Sequence, residues 1–548
     1  YTTNIAAWTP ITLALPNPSA TYQIAFEGIN NFGYANVIDN VTVQGPSTWT
    51  GSVSSDWTVS GNWTGGVPGA TSNVTLGVAA NNPSIATAVT VNNLTINAGG
   101  ILSIANGGQL TVSGTLTNSA GNGGLVLQSN ASGTGSLIHN TADVPATIKR
   151  YITGGQYHFA SVPLTAAANP TAALFMNSYL WKYDATIPNW VKYLNEADAL
   201  TVTQGYMIWY TGANTTYSFA GNINNGAFTA ATPGAATVFN LVPNPYPSAI
   251  NWTAASGWTK TNIANAIYIY NNTQYASYVA GVGTNGGTNI IPVGQAFFVQ
   301  ASGGVGTLAM NNSVRTHSSQ AYFNDPVVNS VLRVAVAADG KSDETVIRFH
   351  EMATATFDAD YDASKLYGSS SAPQLYTLSG NDDMMSINAL NLVEAVATVP
   401  LAFEYTAGGE ITLHFSGIES FSTTVKIYLE DLLTGTITDL NQQSSYTFSH
   451  VDANDADRFR IHFYDVTGID ENRDAFQVWS YDRKVYINIP EFAGKNARIE
   501  MFDVLGNKLF SSDGVLNSPT VVRAMNSGVA IVRVSSADRV YTTKLFIQ

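Results

Sequence analysis

Apolar positions in this chain recur mostly at every second residue, in short runs closed by Gly, Asn, Asp and Ser. Near the C-terminus they alternate through Val485, Ile487 and Ile489 and again through Ala497, Ile499 and Met501. After the turn Asp503-Val504-Leu505-Gly506-Asn507-Lys508 come two further apolar runs, at 528–534 and 541–548. Alternation sends one face of a strand into a core and the other to solvent, so this pattern predicts a small antiparallel sandwich at the end of the chain. The same periodicity predicts strands at Val331 to Val336, Thr345 to Phe349, Glu410 to Phe415, Val425 to Leu429 and Arg458 to Phe463.

A second pattern appears upstream. The segments 93–100, 101–108 and 109–116 each supply two inward apolar residues, Leu94 and Ile96, Leu102 and Ile104, Leu110 and Val112, followed by small turn residues. This repeat predicts stacked rungs of a short β-helix, which needs a cap because a single rung cannot bury its apolar face. Trp49, Trp57 and Trp63 precede it and are the expected cap; the competing expectation is that their faces stack on sugar rings. Between 147 and 325, strand-length runs at 206–210, 266–270 and 295–300 flank Asn244-Pro245-Tyr246-Pro247-Ser248, where two prolines remove ladder donors.

Composition supports the β reading. The chain has 548 residues, too many for one core, and lacks long helix-favouring runs. The expected fold class is therefore all-β and multidomain, a short β-helix plus several β-sandwiches. Charge is uneven: residues 1–325 hold 6 basic and 8 acidic side chains, residues 326–548 hold 17 and 29, which predicts a boundary near Asp325-Pro326. The net charge of −14 argues against nucleic-acid binding, and no apolar stretch reaches the roughly 20 residues that span a bilayer, so an integral membrane protein is not expected. With no cysteine, disulfides and thiol chemistry are excluded.

The order of hairpin glycine (Gly506, with Lys508), Gly528-Val529-Ala530-Ile531-Val532-Arg533 and the closing Lys544-Leu545-Phe546-Ile547 resembles the type A C-terminal sorting domain of proteins exported by the type IX secretion system of Bacteroidota. Val529-Ala530 stands where that family usually has an apolar residue and Tyr. The resemblance implies an immunoglobulin-like domain over 474–548 that serves as an export address. Gly506, Lys508, Gly528, Val532, Arg533, Lys544 and Ile547 form its signature. The implied partners are the type IX translocon, an outer-membrane shuttle barrel and a sortase-type attachment complex, and the implied location is the cell surface or medium, reached through the periplasm and outer membrane. The phrases "NPYPSAINW", "IPVGQAFFVQA", "FDADYDASKL" and "DRFRIHF" resemble modules that precede such domains, and "TYQIAFEGINNFGYANVIDNVTV" resembles the end of a cleaved-adhesin or MAM-like jelly roll. The expected organisation is jelly-roll strands at 1–45, the Trp-capped β-helix at 46–146, a β-sandwich module at 147–325, another at 326–464, a linker at 465–473 and the sorting domain at 474–548.

Candidate chemistry is sparse. Asp358, Asp360 and Asp362 alternate as carboxylates that can contribute to a calcium site; the alternative is that they are solvated, with Asp362 paired to Lys365. The seven histidines show no metal spacing, and there is no Gly-x-Ser-x-Gly elbow. Residues 281–286 match a dinucleotide fingerprint in letters, but a strand follows rather than a helix, and Gly340-Lys341-Ser342 reads as a hairpin turn. The expectation is a non-enzymatic, adhesin-like surface protein, of which this chain is the C-terminal part. Two alternatives stay open: an enzyme whose catalytic domain lies upstream, and a glycan-binding array, with a surface glycan or other cell-surface ligand as target.

Overall fold

A computed structural model describes residues 46–548 except 176, 236, 319–329, 392–395, 466–476, 482, 504, 518, 524–527, 537–538 and 548. The jelly-roll strands expected at 1–45 and nearly all of the linker lie outside the described residues. Within them the chain is built of strands and short 3-10 turns, with no α-helix. It is the expected all-β, multi-sheet architecture.

The first part is a three-sided parallel solenoid. Ser47–Thr48, Asn73–Leu76, Asn93–Ile96 and Leu116–Asn118 stack along one side. Ala88–Val91, Gln109–Val112 and Ser136–His139 stack along a second, and Ser84–Ile85, Leu102–Ile104, Leu125–Leu127 and Pro145–Ile152 along the third. Val74 sits beside Leu94 and Leu94 beside Leu116, 20 and 22 residues on; across the three sides one turn of the coil takes from 19 residues, Ser84 to Ser103, to 27, Gln109 to Ser136. The eight-residue repeat is thus one side of the coil and not one rung, because 93–96, 102–104 and 109–112 fall on three different sides. The six repeat residues all point inward and are buried. Its corners need small residues: a Cβ on Gly108 would lie 2.1 Å from the Ile85 carbonyl oxygen.

The third side is continued by the antiparallel strand Thr215–Asn222, which ties the solenoid to the sheets that follow. One apolar core runs from Trp49 to Val293. The Asn-Pro-Tyr-Pro-Ser turn is buried, and Asn244 replaces the donors that the prolines lack: its Nδ2 donates to the carbonyls of Ser248, Ile291 and Pro292 at 2.9, 3.1 and 2.8 Å.

Residues 331–465 form an eleven-stranded sheet whose alternate residues fill a core of their own. Another apolar cluster joins this sheet to the one before it, bringing Phe159, Tyr268 and Phe298 together with Val331, Val346 and Ile387. Polar groups cross the same contact: Asp343, paired within its own sheet to Lys365, accepts from the Asn285 side chain at 2.8 Å, and the Gln274 amide donates to the Pro373 carbonyl at 2.6 Å. The Gly340 segment is the hairpin turn expected, joining Val331–Ala338 to Lys341–Phe349, with Asp339 and Gly340 at φ 49° and 73°.

The end of the chain is a two-sheet sandwich. Gln477–Tyr481, Lys484–Asn488 and Thr520–Arg523 make one sheet; Lys508–Val515, Asn496–Asp503, Gly528–Ser536 and Arg539–Ile547 make the other, in that spatial order. Val485, Ile487, Ile489, Ala497, Ile499 and Met501, the residues whose alternation predicted it, lie in its core.

Candidate recognition face of the terminal sandwich

Cross-strand register gathers signature residues that are far apart in sequence. Phe502 pairs with Lys508 on one side and Ile531 on the other, and Ile531 pairs with Lys544, so Lys508, Phe502, Ile531 and Lys544 form one row across all four strands. In the next row Glu500 lies between Ser511 and Arg533, and Arg533 faces Thr542. Both rows are on the outward face, because the intervening Met501, Val532 and Val534 are buried. Lys508, Arg533 and Lys544 are exposed.

The other signature residues hold the sheet. Val532 and Ile547 belong to the core; Gly528, at φ 131°, begins a strand and pairs with Ile547. Gly506, at φ 86°, occupies a turn closed by the Asp503 carboxylate, which accepts from the backbone N–H of Leu505 and Asn507 at 2.9 and 2.8 Å. Such a turn favours a residue without a Cβ.

Sequence reasoning missed Glu500, Phe502 and Phe546 as members of this surface. Lys508 Nζ donates to Glu500 Oε1 at 2.5 Å, and that bond, aided by the charges of Lys508, Arg533 and Arg498, holds the Glu500 carboxyl below the usual range. Phe546 is 62 % exposed on the terminal edge strand. Charge also separates along the chain: residues 477–548 carry nine Lys and Arg against six Asp and Glu, whereas 331–465 carry seven against twenty.

The remaining candidates have structural roles. Trp49, Trp57 and Trp63 are buried and pack on one another, with ring centroids 4.9 Å apart for Trp49 and Trp63 and 4.6 Å for Trp57 and Trp63. They cap the solenoid and leave no open indole face, which corrects the sugar-stacking expectation: large aromatics bury more apolar area inside than they expose.

The calcium expectation is corrected as well. Asp362 is buried, and its oxygens accept from the backbone N–H of Ala389 at 2.6 Å and of Asp358 at 2.7 Å; Asp358 in turn accepts from the N–H of Asp360 at 3.0 Å. The triplet closes its own loop, and among the described residues no group of three or more His, Asp or Glu side chains is placed to hold a metal ion. Nor does Asp362 pair with Lys365, whose partner is Asp343. Burial pushes Asp362 up to about 7.

His317 joins the solenoid to its neighbour, 2.8 Å from both Thr111 Oγ1 and Ser136 Oγ. The glycines at 281–286 form a hairpin between Tyr275–Val279 and Val282–Thr284 and a following turn, and no helix is there to receive a phosphate. Among the described residues no helix is long and apolar enough to cross a membrane.

Comparison with solved structures finds a biofilm associated protein BSP domain, 9% identical, covering 76% of this chain and 95% of its own, with a TM-score of 0.16. It also finds a Faecalibacterium prausnitzii beta-glucuronidase, 9% identical, covering 75% of this chain and 47% of its own, with a TM-score of 0.12. No curated protein matches. A family model described as "Domain of unknown function (DUF8693)" matches residues 48–463.

Proposed function

The chain belongs to the DUF8693 family, whose region is followed here by a separate terminal sandwich, and from that premise we propose that it is a non-catalytic, adhesin-like scaffold exported by type IX secretion. In this reading the terminal sandwich is the address, and the solenoid and sheets before it project an upstream functional region at the cell surface or into the medium. The partners are the translocon, the shuttle barrel and the attachment complex.

One observation carries the proposal. Signature residues spread from 506 to 547 resolve into core positions, Val532 and Ile547, and one exposed face with Lys508, Arg533 and Lys544 in adjoining rows. A motif read as a linear peptide has no need of this division, whereas a motif read on a folded sheet requires it. The outer strand Arg539–Ile547 has one strand partner and is contacted by Gln477–Tyr481, whose Ser480 Oγ donates to the Phe546 carbonyl; a sheet edge of this kind can be extended by a partner strand.

The test is removal and transfer. Deleting residues 474–548 should leave the protein in the periplasm with its remaining sheets folded, and grafting them onto a periplasmic cargo should carry that cargo outside in a host with the apparatus. Secretion of the truncated protein would overturn the export reading.

A further inference from the structure

The terminal sandwich has two outer faces, and on the second two of the three strands are covered, with Val521 and Arg523 of the third left exposed. Every outward position of Gln477–Tyr481 and Lys484–Asn488 lies on the side facing the 331–465 sheet, while Val478, Val485 and Ile487 fill the sandwich core. The opposing surface comes from alternate residues of Val425–Asp431 and Phe459–Asp465. Ile427, Leu429, Ile461 and Phe463 point into the eleven-stranded core, leaving Tyr428, Glu430, His462 and Tyr464 on the other face.

We propose that this seam is a binding site in its own right: the 331–465 sheet holds the terminal sandwich non-covalently, firmly enough to retain it after the backbone between them is cut, and acid releases it. The inference does not depend on the export reading.

Trp479 anchors the contact. It stacks on Tyr428 with ring centroids 4.8 Å apart and planes at 12°, and on Tyr486 at 5.2 Å and 5°. All three rings are buried and form a cluster separate from the cores on either side. Buried aromatics of this kind dominate the energy of interfaces.

A carboxylate lies beside the stack. Glu430 accepts from His462 Nε2 at 3.0 Å, from the Tyr486 hydroxyl at 3.0 Å and from Lys484 Nζ at 3.4 Å. Two of these donors belong to the sandwich, so docking replaces the water that the Glu430 carboxylate gives up with an ammonium and a hydroxyl. Tyr428 bonds to the Gln477 side chain, and Asn488 Nδ2 donates to the Tyr428 hydroxyl at 3.2 Å.

His462 supplies the response to acid. Its Nδ1 lies 3.0 Å from the Thr398 hydroxyl, which donates to it when Nε2–H is directed to Glu430; this tautomer is assigned from the bonding pattern. The ionisable groups around it are Glu430 on the adjacent strand, Arg460 with its partner Asp457, and Lys484, Tyr481 and Tyr486 on the sandwich, together with Tyr428. Burial holds His462 below its ordinary value against the pull of Glu430, and Arg460 and Lys484 add to the depression. Burial pushes Glu430 up, but the bonds and charges of His462, Lys484 and Tyr486 outweigh it and leave the carboxyl low. Both groups are depressed when docked. Their contribution is therefore complete above the ordinary imidazole value of about 6.5 and is lost as pH falls below it.

The experiment places a protease site between Asp465 and Gln477 in the whole purified chain, cuts it, and measures association by size exclusion. The two pieces should co-elute at about pH 7.5 and separate at about pH 5. Trp479→Ala should weaken association on the order of 100-fold at neutral pH; Tyr428→Ala, on the opposite side, should do the same if the Trp479 variant does not fold. His462→Gln, whose amide still donates to Glu430 but does not titrate, should keep the pieces together at about pH 5. Separation of the unmodified pieces at neutral pH, or acid release unchanged in His462→Gln, would overturn the proposal.

Discussion

Trp57 and Asp362 show how much a single buried side chain decides here. Trp57 is 1 % exposed and touches both other indoles of the cap, and its carbonyl accepts from Trp63 Nε1 at 2.8 Å. Trp57→Ala opens the end of the solenoid and should cost about 3–5 kcal/mol in chemical denaturation. Asp362 makes a pH prediction. Its folded-state value is raised to about 7, chiefly by burial, so its contribution is present below the ordinary carboxylate value and is lost as pH rises through about 7. The loss is at most about 4 kcal/mol at about 1.36 kcal/mol per pKa unit. Comparing denaturation midpoints of the native chain and Asp362→Asn between about pH 5 and pH 8 isolates it: the native chain should lose more stability on going to the higher pH. The identity of these residues was plain in the sequence, but their roles were not. Three tryptophans in fifteen residues and three aspartates in five look the same whether they cap a core, close a loop or hold a ligand, and only burial separates those cases.

At the scale of elements, strand positions were well marked because alternation is a local property. The runs at 206–210, 331–336, 410–415 and 425–429 all fall within strands. What alternation does not carry is which strands meet. The eight-residue repeat gave the correct inward residues and the wrong unit, since a side and a rung of a solenoid have the same local pattern and differ only in the strand to which each is bonded. Gly108 tests the corner geometry. An added Cβ would meet backbone, the Ile85 carbonyl oxygen at 2.1 Å and that of Ala105 at 3.0 Å, which cannot swing aside as a side chain can. Gly108→Ala should lower stability by about 1–3 kcal/mol, read from the shift of the denaturation midpoint.

Across the whole molecule, the change in charge density near 325 does not interrupt the packing of the described residues. Apolar contacts and buried polar bonds join the sheets on either side of it. Calorimetry should accordingly show the solenoid and the two regions after it unfolding in one cooperative transition. Asp343→Ala, which leaves Lys365 buried without its partner and Leu375 N–H without its acceptor, should destabilise that transition by about 3–5 kcal/mol. The family match over 48–463 runs through all three regions.

The sequence by itself determined that the chain is all-β, where most strands lie, which residues point inward, and that the final segment is a sandwich. These follow from side-chain alternation and turn chemistry, both settled within a few neighbours. Only the tertiary structure decided that Lys508, Arg533 and Lys544 share a surface, that the tryptophans are covered, and that Trp479 is stacked between Tyr428 and Tyr486. Each of those depends on register and docking between segments far apart in the chain, and the free energy that selects them comes from surfaces that exist only once the strands have paired.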